Sequence, residues 1–431
     1  MSGAVTQKAW GLPGKRPVAR TAAPKSGGPS VSPASAALGR KRLVLLLAAL
    51  MFGFGLVMIT SAASGTSLLQ DGDQWIFLKR QLIVGAGGLI GLLLAMRLPL
   101  KAVRRLTKPL LVVSVVMLFV VFIPGVGHSA NGATRWIALP GGFTLQPSEF
   151  VKLALVLYLA DHLARVPPPI HWMRDFIRSP GGVGLLLVGV IFIQRDLGSA
   201  MVTGGMIVAL YVLAGTSWRL IGSVVGPGTA LIVLGIVSEE FRRERFMAFL
   251  NPWADPQGPG YQLVQALIAI GSGGVFGLGL GHSVQKIHFL PEAHTDMIFA
   301  IVVEELGLVG VIAVLGGFCA LAVVGTRIAL RAGSRYEALL AAGLTATLCG
   351  QAALNVAGVV GALPLTGVPL PLVSYGGSNL LISLTALGLL ANLAVAQHES
   401  PRPRAGGQAA APGRRSRWRN RRASGSGVGS G

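Results

Sequence analysis

Long apolar runs recur along the chain and alternate with short polar stretches. A helix needs roughly 20 apolar residues to cross the hydrocarbon core of a bilayer, and ten runs approach that length. The predicted spans cover residues 43–63, 75–97, 109–126, 147–164, 181–195, 199–215, 219–238, 297–325, 337–360 and 377–396. The eighth is long enough to tilt or to break. The pattern therefore predicts an all-α integral membrane protein of about ten transmembrane helices.

Three segments between spans are too long for simple turns, at about 124–146, 239–296 and 361–376. The largest is predicted to be an extracytoplasmic loop between helices 7 and 8. It opens with the turn-rich run 251–260, and six glycines lie between Gly271 and Gly281. Glycine permits backbone conformations and close approaches that other residues forbid.

Lysine and arginine in the short loops predict the orientation, because cytoplasmic loops are enriched in both. Every cluster falls on one side if the N-terminus is cytoplasmic, and an even number of spans returns the C-terminus to that side. Lys79 and Arg80 are exceptions near the outer end of span two, where snorkelling to headgroups would accommodate them. The clusters are Arg40–Arg42, residues 97–108, residues 165–178, Arg219 and residues 327–335.

Composition supports a membrane protein and explains the net charge of +21. Only 12% of residues are charged and 52% are hydrophobic, whereas soluble domains average roughly 25% charged residues. The tails at 1–42 and 397–431 together carry +15. Both are rich in Gly, Pro, Ser and Ala, so we expect disordered basic cytoplasmic tails that touch anionic lipid. A docking arm for a partner protein is the alternative, and no nucleic-acid partner is expected.

The two cysteines, Cys319 and Cys349, lie inside apolar runs, where a thiol behaves as a small hydrophobe. Three histidines of the large segment, His282, His288 and His294, have spacings that match no standard metal-ligand pattern. Neither a disulfide framework nor an organic cofactor is predicted, and no metal ligand is assigned.

Charged residues beside or within the predicted spans are the candidate site residues. A charge in the hydrocarbon layer is costly, so it usually marks a pathway or a site. Glu149 and Lys152 open span four and share a helix face. They form either a neutralising salt bridge or a cation and its positioning partner beside a cavity. Asp196 either caps span six or reaches this cluster. Glu304 and Glu305, inside span eight, need solvent, partners or protons.

The run 291–296 reads Pro-Glu-Ala-His-Thr-Asp and immediately precedes span eight. Asp296 is either a helix cap or a general base placed where a lipid headgroup would lie. Arg135 offers a planar fork suited to phosphate, and Trp136 fits the interfacial aromatic belt. The loop before span ten either lines a groove or is an ordinary loop. Its candidate cavity-lining residues, with His294 and Trp136, are Ser374, Tyr375, Gly376 and Gly377.

Together these segments resemble the FtsW/RodA/SpoVE family, the SEDS peptidoglycan polymerases. With Ala293, the run 291–296 resembles the division-type FtsW/SpoVE branch, because RodA usually has arginine at this position. Arg195 departs from the family pattern, which usually has proline at this position. The matching segments are Asn131–Trp136, Gln146–Lys152, Gln194–Gly198, Phe249–Gln262, Gly271–Gln285, Pro291–Leu306 and Pro364–Ser378.

The resemblance implies a glycosyltransferase that polymerises lipid II, a disaccharide-pentapeptide on undecaprenyl diphosphate, at the outer face of the bacterial cytoplasmic membrane. It implies that Asp296 is the catalytic carboxylate and that Glu149, Lys152 and Asp196 belong to a polar cavity. A class B penicillin-binding protein is the implied transpeptidase partner, alongside other divisome membrane proteins. A lipid II flippase and a non-catalytic divisome scaffold are the alternatives.

The expected reaction is attack of a sugar hydroxyl on the anomeric carbon, with Asp296 as base and a diphosphate leaving. Fixed cations or a divalent ion, Mg²⁺ or Mn²⁺, would stabilise the leaving group. The candidate cations are Lys152, Arg135, Arg245 and Lys286.

Overall fold

The computed structural model describes residues 33–70, 73, 75–130, 133–166, 170, 173–178, 180–238, 240–287 and 289–396. Most of the two basic tails, together with Asn131 and His288, lies outside these residues. The predicted cytoplasmic placement and disorder of the tails therefore stay predictions.

Helices dominate the described residues, and each of the ten predicted spans corresponds to one of them. These ten are α1 (Pro33–Gln70), α2 (Ile76–Arg97), α3 (Leu100–Val120), α4 (Pro147–Leu163), α6 (Pro180–Ile193), α7 (Leu197–Leu213), α8 (Trp218–Val237), α11 (Ile298–Leu330), α12 (Arg335–Val359) and α13 (Gly377–Ala396). Length and composition alone make six of them able to cross a membrane, namely α1, α2, α8, α11, α12 and α13. The predicted helical membrane fold is confirmed.

The structure adds elements inside segments predicted as loops. Helices α5 (Met173–Arg178), α9 (Glu240–Leu250) and α10 (Tyr261–Gly273) are extra, as are the 3₁₀ turns Pro140–Gly142 and Pro252–Ala254. Helix α1 also begins at Pro33, so residues 33–42 were wrongly assigned to the disordered tail.

The first outer segment folds into a three-stranded antiparallel sheet in the order β1-β2-β3. Its strands are β1 (Gly127–Ala130), β2 (Ala133–Leu139) and β3 (Phe143–Leu145). Gly141 and Gly142 have φ of 80° and 74° in the tight connection between β2 and β3, a conformation that costs glycine little. The sheet leads directly into α4, so it places Arg135 above the bundle.

The long helix α11 breaks at Gly307, where φ is 61° and ψ is −144°. The glycine-rich segment after α10 supplies the hydrogen bonds that the break removes. The Leu308 amide donates to the Val275 carbonyl at 3.0 Å, and the Leu278 amide donates to the Glu304 carbonyl at 2.9 Å. Small residues on this segment allow that contact, since a methyl group on Gly277 would collide with the Glu305 backbone.

Basic loop residues meet at one end of the bundle. Arg104 and Arg165 both pair with Asp161, and Arg335 donates to the Val166 and Ala214 carbonyls at 2.7 and 2.9 Å. This convergence agrees with the predicted cytoplasmic side. Of the two exceptions, Lys79 pairs with Asp73 at 2.7 Å.

We expect Gly307→Ala to destabilise the protein strongly, because alanine would adopt a strained φ and its methyl group would meet the backbone of Val275 and Gly277. Such strain costs about 1–3 kcal/mol before the collision is counted. Gly316→Ala is the matched control, since a methyl group there has open space on the same helix. The check is thermal unfolding in detergent; equal unfolding temperatures for the two variants would contradict the expectation.

Candidate active site

Asp296 lies in a tight turn that ends where α11 begins. Glu292 has a φ of 56°, and its carbonyl accepts from the amides of Thr295 and Met297 at 3.1 and 3.3 Å. The turn is anchored sideways at His294, whose carbonyl accepts from the Tyr375 amide at 2.9 Å. A strained residue beside a candidate base is typical of a functional turn.

Aromatic packing fixes the same turn against α2 and the loop before α13. The ring centroids of His294 and Phe77 are 4.4 Å apart, and those of His294 and Tyr375 are 5.6 Å apart. Burial lowers the pKa of His294, while Glu292 opposes that shift. This histidine is therefore mainly neutral at pH 7 and serves as an aromatic support.

The Asp296 carboxylate is half-buried and faces few hydrogen-bond donors. Its Oδ1 accepts from the Thr295 hydroxyl at 3.2 Å, and a methyl group on Gly367 would lie 3.8 Å from its Oδ2. Burial and, to a lesser extent, Glu292 raise the pKa of Asp296, while a backbone hydrogen bond, Thr295 and Arg245 lower it, and the net pKa is about 6. The group is thus ionised at neutral pH yet basic enough to accept a proton.

Two guanidinium groups lie within electrostatic reach of one another, and one of them, Arg245, also interacts with this carboxylate. Arg245, on α9, is attracted by Asp296 and repelled by Arg135, and burial lowers its pKa. Arg135, on β2, lies with its Cζ 4.3 Å above the Trp136 ring and with Nη1 3.6 Å from Asp196. Stacking and ion pairing hold the Arg135 fork in a fixed direction.

Asp196 caps α7, as one sequence interpretation predicted. Its Oδ1 accepts from the Ser199 amide at 3.1 Å. Its Oδ2 accepts from Gln146 Nε2 at 2.8 Å and from the Ser148 hydroxyl at 3.2 Å. The carboxylate therefore joins α7 to the start of α4 and to Arg135, and it is too enclosed to bind substrate itself.

Glu149 and Lys152 form the salt bridge that was one of the two predicted interpretations. The Lys152 Nζ lies 2.8 Å from Glu149 Oε1, and the side chains are 1% and 2% exposed. Lys152 also donates to Gln351 Oε1 at 2.6 Å, and Asn379 donates to Glu149 Oε2 at 3.2 Å. The pair lines a small cavity together with Gln351 and Asn379, and contact of Lys152 with a diphosphate stays a prediction.

Lys286 lies in a separate buried cluster, and its predicted contact with diphosphate stays a prediction. Its Nζ pairs with Glu305 at 2.9 Å and donates to the Ser61 hydroxyl at 3.1 Å. Glu305 lies about 13 Å along α11 from Asp296 at 1.5 Å per residue. The neighbouring Glu304 accepts from the Ser283 hydroxyl and the Val284 amide, so both carboxylates have the partners that their location requires.

The loop 361–376 inserts between α1 and α7. Gly55 and Gly198 have no side chain to obstruct it, because methyl groups there would collide with the Leu372 and Thr366 carbonyls. The Ser374 hydroxyl accepts from the Leu370 amide at 2.8 Å and is buried. Ser374 therefore shapes the loop and does not line a cavity.

The last residues of this loop start α13. The Gly376 carbonyl accepts from the Leu380 amide at 2.9 Å. Gly377 lies near Val84 of α2 and the Thr144 carbonyl of β3, with room for ordinary contact only. Of the four predicted cavity-lining residues here, Tyr375 alone contacts the Asp296 turn through its ring and amide.

Sequence reasoning missed two amides on α12. Asn355 donates to the Asp296 carbonyl at 2.7 Å, and Gln351 donates to the Pro369 carbonyl at 2.9 Å. Two amide side chains four residues apart in an apolar span share a face. That spacing is a signal that points to partners inside the bundle.

A cavity of about 350 Å³ opens between α9, α10 and the loop 361–376. Arg245 contributes to its wall and also interacts with Asp296. Tyr261 and Gln262 add an aromatic ring and an amide, groups suited to a polar ligand with apolar faces. The remaining lining residues are Glu244, Ala248, Phe249, Gly258, Pro259, Leu263 and Leu365.

Comparison with known proteins identifies the family. The model of the FtsW/RodA/SpoVE family, described as a cell cycle protein, matches residues 41–399. The chain belongs to this family.

Relatives of the FtsW/RodA/SpoVE family match over most of their length. A probable peptidoglycan glycosyltransferase FtsW of Geobacter metallireducens is 39% identical over 359 residues, which cover 83% of this chain and 96% of that protein. The stage V sporulation protein E of Bacillus subtilis is 38% identical over 355 residues, 81% of this chain and 96% of that one.

Solved structures of similar fold agree. A chain of a peptidoglycan synthase complex that coordinates polymerization and crosslinking has a TM-score of 0.68 at 28% identity, covering 83% of this chain and 97% of that chain. The Thermus thermophilus rod shape determining protein RodA has a TM-score of 0.60 at 29% identity, covering 83% and 96%. Within the residues that the structure describes, no three His, Cys, Asp or Glu side chains of this FtsW/RodA/SpoVE protein converge as a metal site requires.

We expect Lys152→Met to destabilise this family member by about 3–5 kcal/mol, because it leaves Glu149 buried without its cation. Adding Glu149→Gln to Lys152→Met should recover much of that loss. Lys79→Met is the matched control, since Lys79 is 64% exposed in its ion pair and such pairs contribute only about 0–1 kcal/mol. Unfolding in detergent checks this, and equal losses for both single variants would count against a buried pair.

Proposed function

We propose that the protein is a peptidoglycan glycosyltransferase that polymerises lipid II at the outer face of the cytoplasmic membrane during cell division. The observation that carries the proposal is the Asp296 carboxylate, which is half-buried, interacts with the Arg245 guanidinium group and lies at the opposite end of α11 from the basic residue Arg335. Arg135 lies within electrostatic reach of Arg245. The names of the FtsW relatives support the reaction. The match to FtsW and SpoVE relatives, together with Ala293, supports the division branch.

Asp296 is the general base in this proposal. The hydroxyl of the acceptor sugar gives its proton to the carboxylate as its oxygen bonds to the anomeric carbon of the donor. The bond from that carbon to the diphosphate breaks, and the diphosphate leaves with the electron pair. A sugar hydroxyl is a poor nucleophile, and a positioned base typically accelerates such a step about 10²–10⁴-fold.

Arg135 and Arg245 stabilise the leaving diphosphate. Both forks are planar, permanently charged and already oriented, so little reorganisation is needed as negative charge builds. The cavity between α9 and α10 shares Arg245 with this site. It is therefore suited to the polar, sugar-bearing part of the lipid substrate.

A divalent cation, Mg²⁺ or Mn²⁺, would accompany the diphosphate. Magnesium is usually held by one or two carboxylates together with substrate phosphates, and the exposed Glu292 carboxylate at the mouth of the site fits that mode. The cation would neutralise charge on the diphosphate.

The proposed partner is a transpeptidase, a class B penicillin-binding protein, within a group of divisome membrane proteins. The fold match to a chain of a peptidoglycan synthase complex supports this assignment. The end that carries Arg104, Arg165 and Arg335 would face the anionic lipid of the inner leaflet.

Asp296→Asn should abolish glycan synthesis from lipid II by the purified protein in detergent, because the amide cannot accept the proton. Asp73→Asn is the control: its carboxylate is exposed at the same end of the bundle, where it pairs with Lys79 and accepts from the Trp75 amide, and we expect full activity. Gel analysis of the polymer is the measurement, and a parallel reaction with EDTA tests the cation.

Glycan synthesis by Asp296→Asn at the rate of the control would refute the role of the base. A parent protein that makes no polymer in detergent, where there is no second leaflet, would favour the lipid II transporter.

The Asp296→Asn protein should be at least as stable as the parent at neutral pH. The pKa of Asp296 is raised because burial destabilises its ionised form. The free energy of unfolding of the parent therefore falls as pH rises from about 4 to about 6.

The polymerisation rate should fall as pH drops through about 6, because the base must be ionised to accept a proton and the pKa of Asp296 is about 6. Below that pH the rate should decrease roughly tenfold per pH unit. Initial rates at lipid II concentrations well below KM, which report kcat/KM and hence the pKa of the free protein, check this in a constant-ionic-strength buffer series. A profile that stays flat through this range would argue against a titrating base.

A further inference from the structure

A pair of buried amides on α12 connects the candidate base to the rest of the bundle. Gln351 and Asn355 are 2% and 3% exposed, and they lie four residues apart on one face of the helix. At this burial neither side chain can contact a substrate. Polar groups inside a membrane bundle are costly unless partners satisfy them, so the partners indicate what these residues do.

Asn355 holds two backbone segments at once. Its Nδ2 donates to the Asp296 carbonyl at 2.7 Å and to the Val368 carbonyl at 2.8 Å. One planar amide therefore sets the spacing between the turn that carries the base and the loop opposite it. An amide nitrogen has two hydrogens, so both donors of Asn355 are occupied.

The loop that Asn355 holds also limits the space beside the carboxylate. Gly367, next to Val368, has a φ of 66° and faces Asp296, because a methyl group on it would lie 3.8 Å from Oδ2. A displacement of Val368 would therefore move the wall beside the base. The Asn355 side chain therefore fixes both the turn that carries Asp296 and the loop that faces its carboxylate.

Gln351 repeats this arrangement one turn away and is oriented by a charge. Lysine can only donate, so the Lys152 contact at 2.6 Å forces the Gln351 oxygen toward Lys152. The Gln351 nitrogen then points at the Pro369 carbonyl, 2.9 Å away. The buried Glu149–Lys152 pair thus orients the amide that holds the loop.

We infer that Asn355 is a positioning residue for Asp296, and that Gln351, oriented by Lys152, holds the facing loop for the same purpose. This inference rests on the proposed function. It gives the Glu149–Lys152 pair a role in positioning, where the sequence predicted contact with diphosphate. A displacement of about 1 Å at a reacting group can cost about 10²-fold in rate.

The test compares Asn355→Asp with Asn392→Asp in the detergent polymerisation assay. Aspartate has the shape of asparagine but turns two donors into an acceptor that faces two carbonyl oxygens. Asn392 is the matched control, because its Nδ2 also bridges two carbonyls, those of Ala95 and Leu98, at 2.9 and 2.7 Å. It lies on α13 near the end of α2, at the far end of the bundle.

We expect Asn355→Asp to lower kcat at least about tenfold while the KM for lipid II stays within about threefold, since a displaced base slows the chemical step without removing a contact to the substrate. Asn392→Asp should keep the kcat of the parent. Equal kcat values for the two variants, whether both high or both low, would overturn the inference. A raised KM with unchanged kcat would also overturn it, because that result indicates substrate binding.

If Asn355→Asp does not yield folded protein, Asn355→Gln and Asn392→Gln take its place with the same criteria. Glutamine keeps both donors and displaces them by one methylene. The Asp296→Asn protein is measured in parallel. If it is active, the proposed function fails together with this inference; if it is inactive while Asn355 variants match their controls, the positioning role alone fails.

Discussion

The structure depends on keeping one ionised carboxylate at the edge of an apolar bundle. Asp296 loses hydration there, which raises its pKa to a net value of about 6. Among the contacts described, its oxygens accept from the Thr295 hydroxyl and from its own backbone amide. The Arg245 guanidinium group limits the cost of this charge. For the proposed reaction, a carboxylate with more donors would be a weaker base.

Polar residues of the bundle divide into two kinds by burial. Asp296, Arg135 and Arg245 are partly accessible and are suited to meet a ligand. Glu149 and Lys152 are almost fully enclosed and satisfied by one another and by amides. The enclosed pair orients the structure around the site, whereas the accessible groups act on what enters it.

Two irregular backbone segments of the described residues have their hydrogen bonds completed by other parts of the protein, through backbone groups for α11 and through the Gln351 and Asn355 side chains for the loop 361–376. The interruption of α11 at Gly307 is completed by the segment after α10, and the loop 361–376 is received by Gly55 and Gly198. Irregular backbone at membrane depth is tolerated when protein surrounds it. Gly55, Gly198, Gly277 and Gly307 are therefore explained by close contacts between backbone segments.

The sequence by itself determined the ten helices and the end of the bundle at which the basic loops lie. The role of Asp296 stays a prediction that the family resemblance supplied. The length of an apolar run and the placement of basic residues are local sequence properties, and the spans and their orientation depend on them directly. Only the tertiary structure decided that Lys152 is enclosed and that Lys286 lies in another cluster. Both are lysines near carboxylates in sequence, and helix packing alone determines which remain accessible. The role of Asn355 was equally hidden, because its two partners are backbone carbonyls distant in the chain.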